Sequence, residues 1–169
     1  MSERESKREQ FQNNASGGGG KKVAIVALAL LVVAGVAGWL LFGPAGAGGV
    51  RSVQADNGAV RLKAADFEDG KARFFEYNGR SGPIRFFVVK STDGVIRAAF
   101  DACDVCYREK KGYTQVGDSM ICNNCGQSFP TDRVNVVKGG CNPSPLPRQL
   151  ANGQVIITVA ALEQGATYF

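Results

Sequence analysis

Three hydrophobic patterns succeed one another along the chain. Val23 to Phe42 is an uncharged apolar run of about 20 residues, which at ~1.5 Å rise per residue spans ~30 Å, the thickness of bilayer hydrocarbon. It predicts one transmembrane helix, with Trp39 near its outer end. Residues 1–22 are polar and mixed in charge, with a Ser16–Gly20 glycine run before Lys21-Lys22, too poor in apolar surface to order themselves, and predict a disordered tail. Residues 43–59 begin with a glycine-rich uncharged stretch and predict a flexible linker. From Val60 onward the pattern changes to short apolar segments divided by turn residues. Lys71–Tyr77 ends in Asn78-Gly79, Pro83–Lys90 ends in Thr92-Asp93-Gly94, and Val95–Phe100 follows. Asn-Gly and Asp-Gly tolerate the positive φ of tight turns, so these three segments predict antiparallel strands. Arg85 to Val88 do not alternate, which predicts a central strand covered on both faces. Further strands are expected at Arg133–Val137 and Gln154–Val159, and a turn of helix at Ala160–Gln164. The phenylalanines Phe74, Phe75, Phe86, Phe87 and Phe100 are read as core. The fold class is therefore mainly β, a small antiparallel β-rich domain at 60–169 tethered to one N-terminal transmembrane helix.

Charge orients this picture and narrows it. Lys21-Lys22 abuts the apolar run while Gly43 to Val50 carries no charge, so the positive-inside bias puts the tail in the cytoplasm and the domain outside. The run exceeds the length of a signal-peptide core, which favours an uncleaved anchor over cleavage near Ala45-Gly-Ala47. Ala34 and Gly38 form a small-residue pair through which two such helices could dimerise. The formal net charge is +5, with five bases against three acids in the N-terminal arm and no basic block elsewhere, so nothing points to nucleic acid. Histidine is absent, which removes Ser-His and Cys-His nucleophiles, His-containing zinc sites and haem attachment through C-x-x-C-H. Gly17–Gly20 lacks the lysine and the following helix of a phosphate-binding loop.

The candidate chemistry lies in five cysteines. Cys103 and Cys106 form one C-x-x-C pair, Cys122 and Cys125 a second after fifteen residues, and Cys141 follows after fifteen more. Two C-x-x-C turns can cage one ion tetrahedrally, their backbone N–H groups facing the sulfurs. Gly126 suits the tight backbone after Cys125, whereas Tyr107 holds the matching place after Cys106, so the first turn is expected to be the less regular. Cys141, within Gly139-Gly-Cys-Asn-Pro143, is one cysteine more than a zinc ribbon requires. It can be a fifth ligand, a substitute or a free thiol. An exported location keeps two disulfides open as an alternative, and with them a thiol–disulfide exchanger or metallochaperone. A structural zinc-ribbon-like interaction module is the other rival. Asp101, Asp104, Arg108, Lys110 and Lys111 surround the first pair and read as a solvated rim.

At these residues the chain resembles the FtrD-like membrane iron-sulfur proteins. The likeness runs from about Phe67 to Ile157 and is carried by Phe74-Phe-Glu-Tyr77, Ile84–Lys90, Phe100–Tyr107, Lys111-Gly-Tyr113, Gly117-Asp118, Met120-Ile-Cys122, Cys125-Gly126, Gly139–Pro143 and Pro145-Leu-Pro147. The resemblance implies a non-enzymatic electron carrier or metal-handling module outside the cytoplasmic membrane of a bacterium, serving ferrous-iron uptake. Its metal ligands would be Cys103, Cys106, Cys122, Cys125 and Cys141, and its partners redox or iron-transport proteins. Some relatives carry many membrane helices before this domain, so a complete transporter is not implied. The implied cofactor is iron or an iron-sulfur cluster. No twin-arginine signal precedes the apolar run, so the domain would cross unfolded and acquire its ion outside, which leaves zinc and copper open as well.

Overall fold

The computed structural model describes residues 49–169, within a compact unit that begins at Gly48. The expected tail, the anchor Val23–Phe42 and the pair Ala34/Gly38 lie outside the described residues. Among those described, no helix is long and apolar enough to cross a membrane.

Among the described residues, ten strands form three sheets. The first has the order β1 (Arg51–Val53), β3 (Arg73–Gly79), β4 (Gly82–Lys90), β5 (Ile96–Phe100), antiparallel except for the parallel β1–β3 pair. The second joins β2 (Ala59–Lys63), β10 (Gln154–Thr158) and β9 (Gln149–Ala151), all antiparallel. The third is a meander of β6 (Tyr113–Val116), β7 (Ser119–Cys122) and β8 (Ser128–Pro130). The short helix α1 (Val159–Glu163) follows β10, its N-terminus capped by Thr158, whose hydroxyl oxygen accepts from the Ala161 N–H.

β4 explains the broken alternation in its sequence. Ile84, Phe86 and Val88 point into a core shared with Phe75, Val155, Ile157 and Leu162, whereas Phe87 and Val89 point into a second core with Ala99, Met120, Val134, Cys103 and Cys122. The strand has two buried faces because the cysteine-bearing region packs on the side away from α1. Register doubles the effect: Phe75 pairs with Phe86, their rings stacked at 5.3 Å, and Phe74 pairs with Phe87 at 5.7 Å. Truncating Phe86 or Phe87 to alanine would cost about 3–5 kcal/mol.

Three expectations need correction. The β3–β4 loop is Arg80-Ser81, not Asn78-Gly79, since Gly79 pairs with Gly82 inside the ladder. Gly79 is required by packing instead, because a Cβ there would meet the Ile84 side chain at 2.6 Å. Arg133–Val137 is no strand: a 3-10 turn occupies Thr131–Arg133, and the N–H groups of Val136 and Val137 both return to the Arg133 carbonyl. Within the expected flexible linker, Arg51–Val53 is β1 and Asp56 bridges to Ala59 across Asn57-Gly58. That turn, like Asn152-Gly153 between β9 and β10, has positive φ at both central residues.

Candidate metal centre

The cysteines reach one place by three routes. Cys103 and Cys106 follow the end of β5, and Cys122 ends β7 with Cys125 in the turn toward β8. Cys141 arrives by the Pro143–Pro147 segment, which docks on the free edge of β5. There the Phe100 N–H donates to the Ser144 carbonyl at 2.8 Å, and the Ser144 N–H donates to the Ala102 carbonyl at 2.9 Å. Pro145 bridges Ala99, and Leu146 is buried in the first core. Prolines alternating with donating residues suit an edge that is to be closed on one side only. Asn135 secures the segment by donating to the Leu146 carbonyl at 2.8 Å, and Tyr113 donates from its hydroxyl to the Cys141 carbonyl at 2.7 Å.

All five cysteines are free thiols that fall into two triads. The sulfurs of Cys103, Cys106 and Cys122 lie within 4.8 Å of one another, as do those of Cys106, Cys125 and Cys141. Cys106 belongs to both. Its sulfur is 3.7 Å from that of Cys141. A tetrahedral thiolate site with bonds of about 2.3 Å separates its sulfurs by about 3.8 Å, so this donor set fits a sulfur-held ion. Cys103 and Cys122 are buried, Cys106 and Cys141 half-buried, and Cys125 exposed.

The two C-x-x-C turns differ in their support. In the first, the Cys106 N–H donates to the Cys103 sulfur at 3.1 Å, and Lys110 takes a left-handed conformation to leave the short 3-10 turn Tyr107–Glu109. In the second, Gly126 has φ +73° and its N–H closes on the Cys122 carbonyl at 2.8 Å. No atom lies within 4 Å of a Cβ built on Gly126, so backbone conformation rather than crowding requires glycine. Burial pushes the Cys122 thiol up to about 11, against backbone hydrogen bonds from Cys125 and Asn124 that pull it down. A backbone hydrogen bond from Gln127 lowers Cys125. Burial, reinforced by the thiols of Cys125 and Cys106, pushes Cys141 up to about 12. The cluster thus pairs an acidic, exposed thiol with reluctant inner ones, and positive charge from an ion would favour all of them as thiolates.

Asp101 is not part of a solvated rim. It lies beneath the first turn, accepts the Tyr113 N–H at 2.7 Å, and is pushed by burial up to about 7. Asp104 accepts the Tyr168 hydroxyl at 2.6 Å, and Lys111 donates to Asn124 at 3.0 Å, tying the two turns together. Sequence reasoning missed Tyr113 and Tyr168. Tyr113 stands two residues after a positive charge in an unremarkable strand, and no local signal marks its hydrogen bond to the Cys141 carbonyl or its packing on Phe87 and Phe129. The Asn152-Gly153 dipeptide, by contrast, was a readable signal for the β9–β10 hairpin that closes the second sheet.

The fold is a mainly β domain carrying five thiols, in a chain without histidine, grouped in two triads that could each hold a metal ion. The family described as membrane iron-sulfur containing protein FtrD-like matches residues 67–169, well over half of the chain, and the chain belongs to that family. A comparison with curated proteins gave no match.

Proposed function

We propose that the chain is a membrane-anchored electron-transfer or metal-handling module of a bacterial iron-uptake system, its domain held outside the cytoplasmic membrane by the single helix Val23–Phe42. The observation that carries this reading is the pair of thiol triads joined at Cys106. Cys103, Cys106, Cys122, Cys125 and Cys141 would hold the ion or cluster, and the family description favours iron with sulfur. A thiolate-held iron centre supplies one-electron redox chemistry. The chain's own residues set its surroundings: Cys103 and Cys122 are sunk in the second core, the Cys106 N–H is directed at sulfur, and Cys125 alone is exposed. That exposure offers a redox partner its closest approach to the centre.

The test is metal analysis and an absorption spectrum of the full chain purified anaerobically in detergent. The expected result is bound iron with visible charge-transfer bands that bleach on reduction. A colourless protein holding only zinc would overturn the reading in favour of a structural zinc module.

A further inference from the structure

Beside the cysteine cluster lies a cavity of about 460 Å³ that the proposed function leaves without a role. It runs from the β3–β4 turn, at Ser81 and Pro83, to the sulfurs of Cys103, Cys106 and Cys122, which form one of its walls. Cys125 and Cys141 do not line it, so the cluster has an inner face on the cavity and an outer face on solvent. An ion held by the cysteine sulfurs would leave the space toward the hairpin open.

The lining selects a ligand class. Tyr107, Tyr113 and Tyr168 contribute aromatic surface, suited to a flat apolar ring. Two cations reach the same space. Arg85 uses its Nε on Glu76 at 3.2 Å, which neutralises that carboxylate and leaves the other guanidinium nitrogens as donors. Lys110, which has a left-handed backbone, also lines the cavity and has no ionic partner among the described residues. A ring with hydrogen-bond acceptors at its edge matches both sets of groups, whereas a hydrated metal chelate would lose its solvation against tyrosine faces.

We propose that this cavity binds a planar conjugated dicarbonyl compound of the quinone class, its ring against the tyrosine surface and a carbonyl oxygen toward Lys110 and Arg85. The choice of a lipid-soluble class rests on the membrane-anchored reading above. Ligand and ion would then share the wall formed by Cys103, Cys106 and Cys122.

The probe is duroquinone, whose ring positions are all substituted and so resist addition of thiols. Binding is read by saturation-transfer NMR on the full chain in lipid nanodiscs, with metal content measured on the same samples. Wild type should bind saturably. Lys110→Ala, which removes a charged donor, should bind roughly tenfold more weakly at unchanged metal content. Ser81→Trp, at the exposed turn, should block the entrance and abolish the signal. No saturable binding, or equal signal in wild type and both variants, would overturn the proposal as mere partition into lipid. Metal without duroquinone binding would sink this inference alone. Duroquinone binding in a metal-free chain would support it and sink the electron-transfer reading.

Discussion

The two C-x-x-C turns carry the same cysteine spacing and are built in opposite ways. The second is made by its own neighbourhood: Gly126 at φ +73°, its N–H on the Cys122 carbonyl, and N–H groups of Asn124, Cys125 and Gln127 serving the sulfurs. The first has one such N–H, from Cys106, and depends on remote groups. Asp101 below it holds Tyr113, Tyr113 holds Cys141, and Lys111 reaches across to Asn124. A self-contained turn presents a ligand; a turn assembled by distant strands can be shared. Cys106, the residue common to both triads, belongs to the second kind.

The largest expected effect follows from that sharing. Cys106→Ser breaks both triads and should abolish metal retention, whereas Cys125→Ser leaves Cys103, Cys106 and Cys122 intact and should retain part of the metal. Metal-to-protein ratios after desalting decide it. Equal loss in both variants would show that the turns act as one four-sulfur cage, without the asymmetry.

The buried carboxyl beneath the first turn gives the next effect. Asp101 titrates at about 7 in the fold against 3.8 for the unperturbed group, so the folded state binds its proton more tightly. The associated stability is fully present below about pH 4 and is lost as pH rises through 7, a change of about 2–4 kcal/mol. Thermal unfolding of the metal-free protein should therefore fall between pH 5 and pH 8. Asp101→Asn keeps an acceptor for the Tyr113 N–H and should flatten that slope. An unchanged slope in this variant would place the pH sensitivity elsewhere.

A smaller contrast separates two glycines. Gly126→Ala meets no atom within 4 Å and should cost about 1–2 kcal/mol for its left-handed backbone. Gly112→Ala carries the same kind of cost at φ +63° and also drives its Cβ into the Asp101 carboxylate. It should be the more destabilising by about 1–2 kcal/mol. Denaturant midpoints of the two variants, compared at equal slope, measure the gap. Equal costs would show that the support under the first turn yields freely.

Much of this was legible in the chain. The strands β3, β4, β5 and β10 follow from apolar runs between turn residues, and the double-sided burial of β4 follows from Phe86-Phe87-Val88-Val89, which no single buried face can explain. Arg133–Val137 was misread because β-branched residues suit strands wherever they fall, yet here Asn135, at φ +62°, breaks the extended path and spends its amide on the Leu146 carbonyl. The Asn78-Gly79 turn was misplaced by two residues because Gly79 answers to the Ile84 side chain, a contact that spacing does not reveal.

The sequence by itself determined what local chemistry can determine: no imidazole ligand in a chain without histidine, two C-x-x-C turns, and the glycine that shapes the second. Backbone hydrogen bonds between near neighbours need no other part of the chain. Tertiary structure alone decided that Cys141 joins them, that Cys106 stands in both triads, that Asp101 is buried, and that an aromatic cavity opens on the inner sulfurs. Each of these depends on the Pro143–Pro147 segment closing the edge of β5 or on Tyr113 packing across the second core. Those contacts join residues tens of positions apart, where neither spacing nor periodicity carries information.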